Sequence, residues 1–224
     1  MVRRLNTYDR ALLQIGDKLN NMGQLAGKLL AEALNSFIGQ NDILANQVID
    51  SDDEIDGLEE TIEAESINLI SLQQPVDYDL RFLIAAMRIS RELERISDYA
   101  CDIAEVTLHL KAKVALIKPL VDLPKLAELV REMMGKSLKA HLGKDLTAAR
   151  QMDDDDDEVD ALFRSLLQEL LDWMKKSPEY VEQASMILLI VRYLERIGDH
   201  IVNISEMTIF METGERHPFK QFKK

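Results

Sequence analysis

Hydrophobic positions along the chain recur at three- and four-residue steps, the period of an amphipathic helix rather than a strand. From about Tyr8 to Ile38 the series Leu12, Ile15, Leu19, Met22, Ala26, Leu29, Ala33 and Phe37 marks one long helix. Gly23 and Gly27 lie four residues apart within it, which predicts a face that lets another helix approach closely. Gly39-Gln40-Asn41-Asp42 reads as a turn with Asn41 or Asp42 as the next N-cap. A second helix is expected from there to about Leu72, carrying Ile43, Val48, Ile55, Leu58, Ile62, Ile67 and Leu69. Gln74-Pro75-Val76-Asp77 ends it, with Asp77 a candidate cap. A third helix is expected from about Asp79 to Lys113 through Leu83, Met87, Leu93, Ile96, Ile103 and Val106.

After Lys118-Pro119 and Leu123-Pro124 the plan starts again. The second half predicts helices over about Leu126 to Ala149, Asp154 to Lys175, and Pro178 to Glu212, the last opened by Ser177 ahead of a first-position proline. The repetition extends to wording. Arg91-Glu92-Leu93-Glu94-Arg95-Ile96-Ser97-Asp98 returns 101 positions later as Arg192-Tyr193-Leu194-Glu195-Arg196-Ile197-Gly198-Asp199. Asp53-Glu54-Ile55-Asp56-Gly57-Leu58 is matched by Asp157-Glu158-Val159-Asp160-Ala161-Leu162 at an offset of 104. Two landmarks in the same order indicate duplication. The expected fold is all-α, two tandem three-helix bundles: residues 1–116 as the first module, and 117–224 as the second with a basic C-terminal tail from Arg216.

Composition sharpens this. Only 9 glycines and 5 prolines in 224 residues favour few, long elements. With 40 acidic and 27 basic residues the formal charge is −13, which disfavours nucleic acid and suits cations or a basic partner surface. The lone Cys101 excludes intramolecular disulfides and fits a reducing compartment. Charges throughout the first seventeen residues leave no signal-peptide core, and the longest apolar run, Met186 to Val191, is far short of a membrane span; a cytoplasmic location is expected.

The candidate chemistry is carboxylate. Acid-x-x-x-Asp pairs, which place both groups on one helix face, occur at Asp52/Asp56, Glu94/Asp98, Asp98/Asp102, Asp153/Asp157, Asp156/Asp160 and Glu195/Asp199. Their number is near what chance gives; their position is not. Four fall at corresponding places on the second and third helices of each module. If those helices adjoin, two pairs face one groove per module, and mutual repulsion is relieved by protons or by hard cations bound through oxygen. The competing reading is a solvated acidic face. It is strongest for the five aspartates Asp153 to Asp157, expected near a helix N-terminus where the dipole favours negative charge. At Glu94/Asp98 and Glu195/Asp199 simple salt bridges with Arg91, Arg95, Arg192 and Arg196 are the alternative. A helical di-metal carboxylate enzyme would use Glu-x-x-His, and none of His109, His141, His200 and His217 has an acid three residues before it. No nucleophile motif or phosphate loop appears. His200 is expected to cap or face solvent.

The doubled Arg-x-Leu-Glu-Arg-Ile-Ser/Gly-Asp phrase, the Asp-rich second helices and the two three-helix modules together resemble the PhoU family of phosphate-signalling regulators, from about Tyr8 to Thr213. The resemblance implies a non-catalytic cytoplasmic protein, peripheral at a membrane phosphate transporter, that restrains uptake and the sensor histidine kinase of the starvation response. It also implies metal ions, whether iron, zinc, magnesium or manganese, held at Asp52, Asp56, Glu94, Asp98, Asp156, Asp160, Glu195 and Asp199, with Asp102 one turn further on. A homodimer is expected separately, from the exposed side that such long helices leave. Asn203 stands where the repeat would put a second Asp102, so the two sites are expected to differ.

Overall fold

A computed structural model describes residues 6–110 and 122–215. The expected module boundary at 116/117 and the basic tail from Arg216 lie outside the described residues.

Among those residues the elements are helical: α1 (Thr7–Gly39), α2 (Asp42–Ile49), α3 (Asp52–Gln73), α4 (Asp77–His109), α5 (Asp122–Gly143), α6 (Leu146–Lys176) and α7 (Val181–Thr213), with a 3-10 turn over Pro178–Tyr180 opening α7. Helix α1 is locked at its start by a capping box. Asn6 accepts from the Asp9 amide while the Asp9 carboxylate accepts from the Asn6 amide. Asn41 caps α2 as expected, accepting from the Leu44 amide at 3.2 Å. Asp77 does not cap α4. The cap position is Val76, which makes no side-chain bond there, and Asp77 is already the first helical residue.

Two boundaries differ from the periodicity. The helix expected from Asn41 to Leu72 is two helices, broken at Asp50-Ser51, where the Ser51 hydroxyl donates to the Gln47 carbonyl at 2.7 Å and its amide turns to Val48. Serine offers the backbone such an alternative to helical pairing. In the second module, α5 stops at Gly143 and α6 starts at Leu146, well before Asp154. Lys144 sits at φ +53°, and Asp145 accepts from the Thr147 and Ala148 amides at 3.0 Å. The five-aspartate run therefore lies about two turns inside α6, and the dipole reading of it falls.

Within each module the three layers pack around one core, with α1, α2/α3 and α4 together in the first and α5, α6 and α7 in the second. The most extensive helix pair in the molecule joins the modules: α4 lies against α7, supported by α1 against α5. Gly23 lets the second contact be close, since a β-carbon there would stand 2.7 Å from Leu138 Cδ2, whereas one at Gly27 would meet Met134 Cγ at an ordinary 3.8 Å. The core runs continuously through both bundles, from Ile15, Met22 and Leu30 to Leu93, Ile96, Leu194 and Ile197.

The α4–α7 seam also carries polar bonds. His200 Nδ1 donates to Glu92 Oε2 at 2.6 Å and Asn203 Nδ2 donates to the same oxygen at 3.0 Å. Tyr99 packs on Tyr193 and on the His200 ring. His200 is thus neither cap nor solvent-facing; it ties the modules together.

Gly57, exposed in α3, has nothing within 4 Å of where a β-carbon would be. Gly57→Ala is expected to stabilise the protein by about 1 kcal/mol through helix propensity alone, raising the calorimetric Tm by about 2–4 °C.

Candidate functional site

Helix α4 alternates buried and polar positions so that Leu93, Ile96 and Ala100 seal the core while Glu94 and Asp98 emerge together beside α3. The start of α3 supplies Asp52 and Asp56. The Ser97 hydroxyl donates to Asp52 Oδ1 at 2.7 Å, pinning the two helices at this point. Desolvation is the first cause of a raised pKa at Asp56, Glu94 and Asp98, and each is raised further by its neighbours: Asp52 and Asp98 act on Asp56, Asp98 and Asp56 on Glu94, Asp52 on Asp98. Asp56, Glu94 and Asp98, on two helices, therefore carry the repulsion of nearby carboxylates, partly offset at Glu94 and Asp98 by Arg95 and Arg91. Asp102, one turn on, is raised by burial, then by Glu105 and Asp98, so it extends the cluster along α4.

The second module repeats the arrangement on α6 and α7. Burial, then Asp199 and more weakly Asp160, raises Glu195. Asp156, only 5% exposed, lies against the backbone of α7, where a β-carbon at Gly198 would be 3.2 Å from its Oδ1. Ser97 and Gly198 are the same position of the repeat. In one module that residue bonds the first aspartate of the second helix; in the other it leaves room for it. The five-aspartate run is split by the helix: Asp156 points inward, Asp155 pairs with Lys136 at 2.8 Å, and Asp154 and Asp157 are exposed. The solvated-face reading thus holds for part of the run and fails for Asp156.

Arginines thread both clusters. Arg95 reaches Glu94 and Asp98, Arg196 reaches Glu195 and Asp199, and Arg192 donates to Glu195 Oε1 at 2.7 Å. Arg91 pairs with Glu59 at 3.9 Å, whereas Arg192 lies over the ring of Phe163, which occupies the corresponding place in α6. Salt bridges are therefore present, yet at one oxygen of each glutamate the arginine Nε supplies charge without a hydrogen bond. Glu94 Oε2 and Glu195 Oε2 are both buried and accept no hydrogen bond. Buried carboxylate oxygens of this kind are costly unless something pairs with them.

Among the described residues no three histidine, cysteine or acidic side chains are drawn up on one point as a finished metal centre would have them. The donor set nonetheless suits a hard cation: oxygen donors, partly desolvated and mutually repelling, with a buried oxygen in each module that accepts no hydrogen bond. Cys101 is no soft ligand here, because burial and then Asp52 push its thiol up to about 12. What sequence reasoning missed was the Ser97–Asp52 bond and its absence at Gly198. The signal was present as the one small-residue difference inside the repeated phrase.

Gly198→Ala tests the room left for Asp156. Helix propensity favours alanine by about 1 kcal/mol, but overpacking between α6 and α7 costs about 1–3 kcal/mol, and Val159 Cγ1 at 3.4 Å blocks retreat on the other side. The expected net result is a loss of about 1 kcal/mol by urea titration, opposite in sign to Gly57→Ala.

Fold and site together define an internally duplicated, all-helical protein whose modules present matching carboxylate clusters. The chain belongs to the PhoU family: the PhoU domain model matches twice, over residues 19–107 and 123–208. It is 37% identical to a phosphate-specific transport system accessory protein PhoU homolog of Zymomonas mobilis, over 96% of this chain and 90% of that one. A Clostridium acetobutylicum homolog of the same description is 32% identical, over 96% and 98%. Among solved structures, PhoU from Pseudomonas aeruginosa superposes with a TM-score of 0.90 at 30% identity, covering 93% of this chain and all of that one. The phosphate transport system regulatory protein PhoU from Streptococcus pneumoniae gives 0.86 at 28% identity, covering 94% and 99%.

Proposed function

We propose that this chain is a non-catalytic regulator of phosphate uptake and phosphate-starvation signalling, working in the cytoplasm on a membrane phosphate transporter and a sensor histidine kinase. The observation that carries this reading is similarity along nearly the whole chain to proteins named as accessory to phosphate-specific transport. The physical features agree. No described helix is long and apolar enough to cross a membrane, so contact with a transporter would be peripheral. A charge of −13 favours basic surfaces on partners over anionic lipid. We take a homodimer as the working state in this reading.

In this reading Asp52, Asp56, Glu94 and Asp98 hold cations in the first module, with Asp102 adjoining, and Asp156, Asp160, Glu195 and Asp199 do so in the second. A bound cation would supply charge neutralisation and rigid cross-linking of two helices, not catalysis. These residues bring the oxygen ligands; the seam behind them excludes water and fixes the spacing.

The test is genetic and direct. Deleting the gene should raise phosphate uptake and starvation-gene expression in phosphate-replete medium, and re-expressing the chain should restore repression. Unchanged uptake and expression on deletion would contradict the regulatory role.

A further inference from the structure

The repeat reproduces more than the carboxylates. Arg95 Nε stands 3.3 Å from Glu94 Oε2 while its Nη1 donates to Asp98 Oδ2 at 2.8 Å. In the second module Arg196 Nε stands 3.8 Å from Glu195 Oε2 while its Nη1 donates to Asp199 Oδ2 at 3.3 Å. The same guanidinium atoms bridge the same carboxylate atoms, 101 residues apart. The glutamate oxygen that faces Nε is in each case the buried one that accepts no hydrogen bond. So Nε supplies charge to that oxygen without a properly directed bond, and the better bond goes to the aspartate.

We propose that Arg95 and Arg196 are built-in counter-ions of the two clusters, occupying the face that a divalent cation takes and swinging out when it arrives. The inference rests on the metal reading given above and adds the residues that compete with the ion. Three features suit the two side chains to leave. Both are substantially exposed, 42% and 45%, so water can receive the guanidinium. Exposed ion pairs are weak, whereas a cation bound by desolvated carboxylates satisfies the oxygen that arginine leaves orphaned. The ion pairs of each lie within its own carboxylate cluster, in contrast to Arg192, which is fixed at once by Glu195 Oε1 and by the Phe163 ring. Arg192 therefore remains as the fixed charge that orients Glu195, and Arg95 and Arg196 exchange. Displacement would also turn two positive side chains outward, one per module, only in the loaded state.

The experiment uses the full-length, chelator-stripped chain. In 15N-labelled protein the Nε–Hε signals of Arg95 and Arg196, assigned by their loss in R95M and R196M, should shift and narrow on titration with Zn²⁺. Calorimetric titration with Mn²⁺ should show each variant binding about two- to fivefold tighter, the worth of one removed exposed ion pair. R131M, which removes an exposed arginine of α5 paired with Glu128, should not change it. Signals that stay in place while Zn²⁺ binds would overturn the proposal even if a variant fails to fold, and so would equal or weaker Mn²⁺ binding by folded variants. If the unaltered chain takes up neither ion, the metal reading itself fails, and the counter-ion role fails with it.

Discussion

Replacing Glu94 and Glu195 together by glutamine is expected to stabilise the metal-free protein at pH 7 and to weaken cation binding by roughly 100-fold or more, since loss of even an outer-sphere partner costs 10–100-fold. The two effects have opposite signs because they have one cause. Both glutamates sit in clusters where burial first, and then the neighbouring aspartate, raises the pKa above its ordinary value. A carboxyl whose folded pKa is raised holds its proton more tightly folded than unfolded. The fold is then unpenalised below the ordinary glutamate value of 4.5 and loses stability as pH rises through the folded value. Glutamine cannot ionise, so the variant escapes that loss. The stability difference between variant and wild type should be near zero at pH 4 and should grow toward pH 7. Taking the difference removes other titrations, including His141, where burial lowers the pKa and works in the opposite direction: folding there favours the neutral ring, and stability is lost as pH falls below 6.5. Chemical denaturation of both proteins across this range measures it. A difference independent of pH would mean that the charges at Glu94 and Glu195 carry no strain.

Leu194→Ala is expected to cost about 3 kcal/mol and to lower the Tm by about 10 °C. Leu194 is fully buried on α7, one residue before Glu195, and belongs to the core that runs through both modules. Because α4 and α7 form the most extensive helix pair, and because Glu92, His200 and Asn203 bond across it, the bundles should melt in one transition. Scanning calorimetry should therefore show a single peak displaced as a whole. Two resolved peaks, with only one displaced, would show that the seam does not couple the modules.

The duplication, the helical class and the pairing of second with third helices were legible because each rests on local period and on repeated wording. The break at Ser51 was not, because apolar spacing continues across it and the helix ends in backbone pairing, where the Ser51 amide turns to the Val48 carbonyl while its hydroxyl takes the Gln47 carbonyl. The start of α6 was written in Gly143-Lys144-Asp145, a left-handed turn followed by an N-cap, but the aspartate run downstream looked like the stronger terminus. The same run misled about exposure: Asp156 is buried and Asp153 turns one oxygen inward, and which positions do so depends on helix phase set by an unseen start. The helices that carry the candidate carboxylates do adjoin, yet the partners of those side chains were not readable. That Glu92 would bind His200 depends on how the modules cross, and no periodicity within either module contains that angle.

The measurement closest to the centre of this account is the metal content of the chain purified without chelators, set beside that of E94Q/D98N/E195Q/D199N. Plasma mass spectrometry should find bound divalent or trivalent metal in the wild type and background levels in the variant, with equal helicity by circular dichroism. Equal metal in both proteins, or none in either, would contradict the claim that these paired carboxylates exist to be neutralised by a cation.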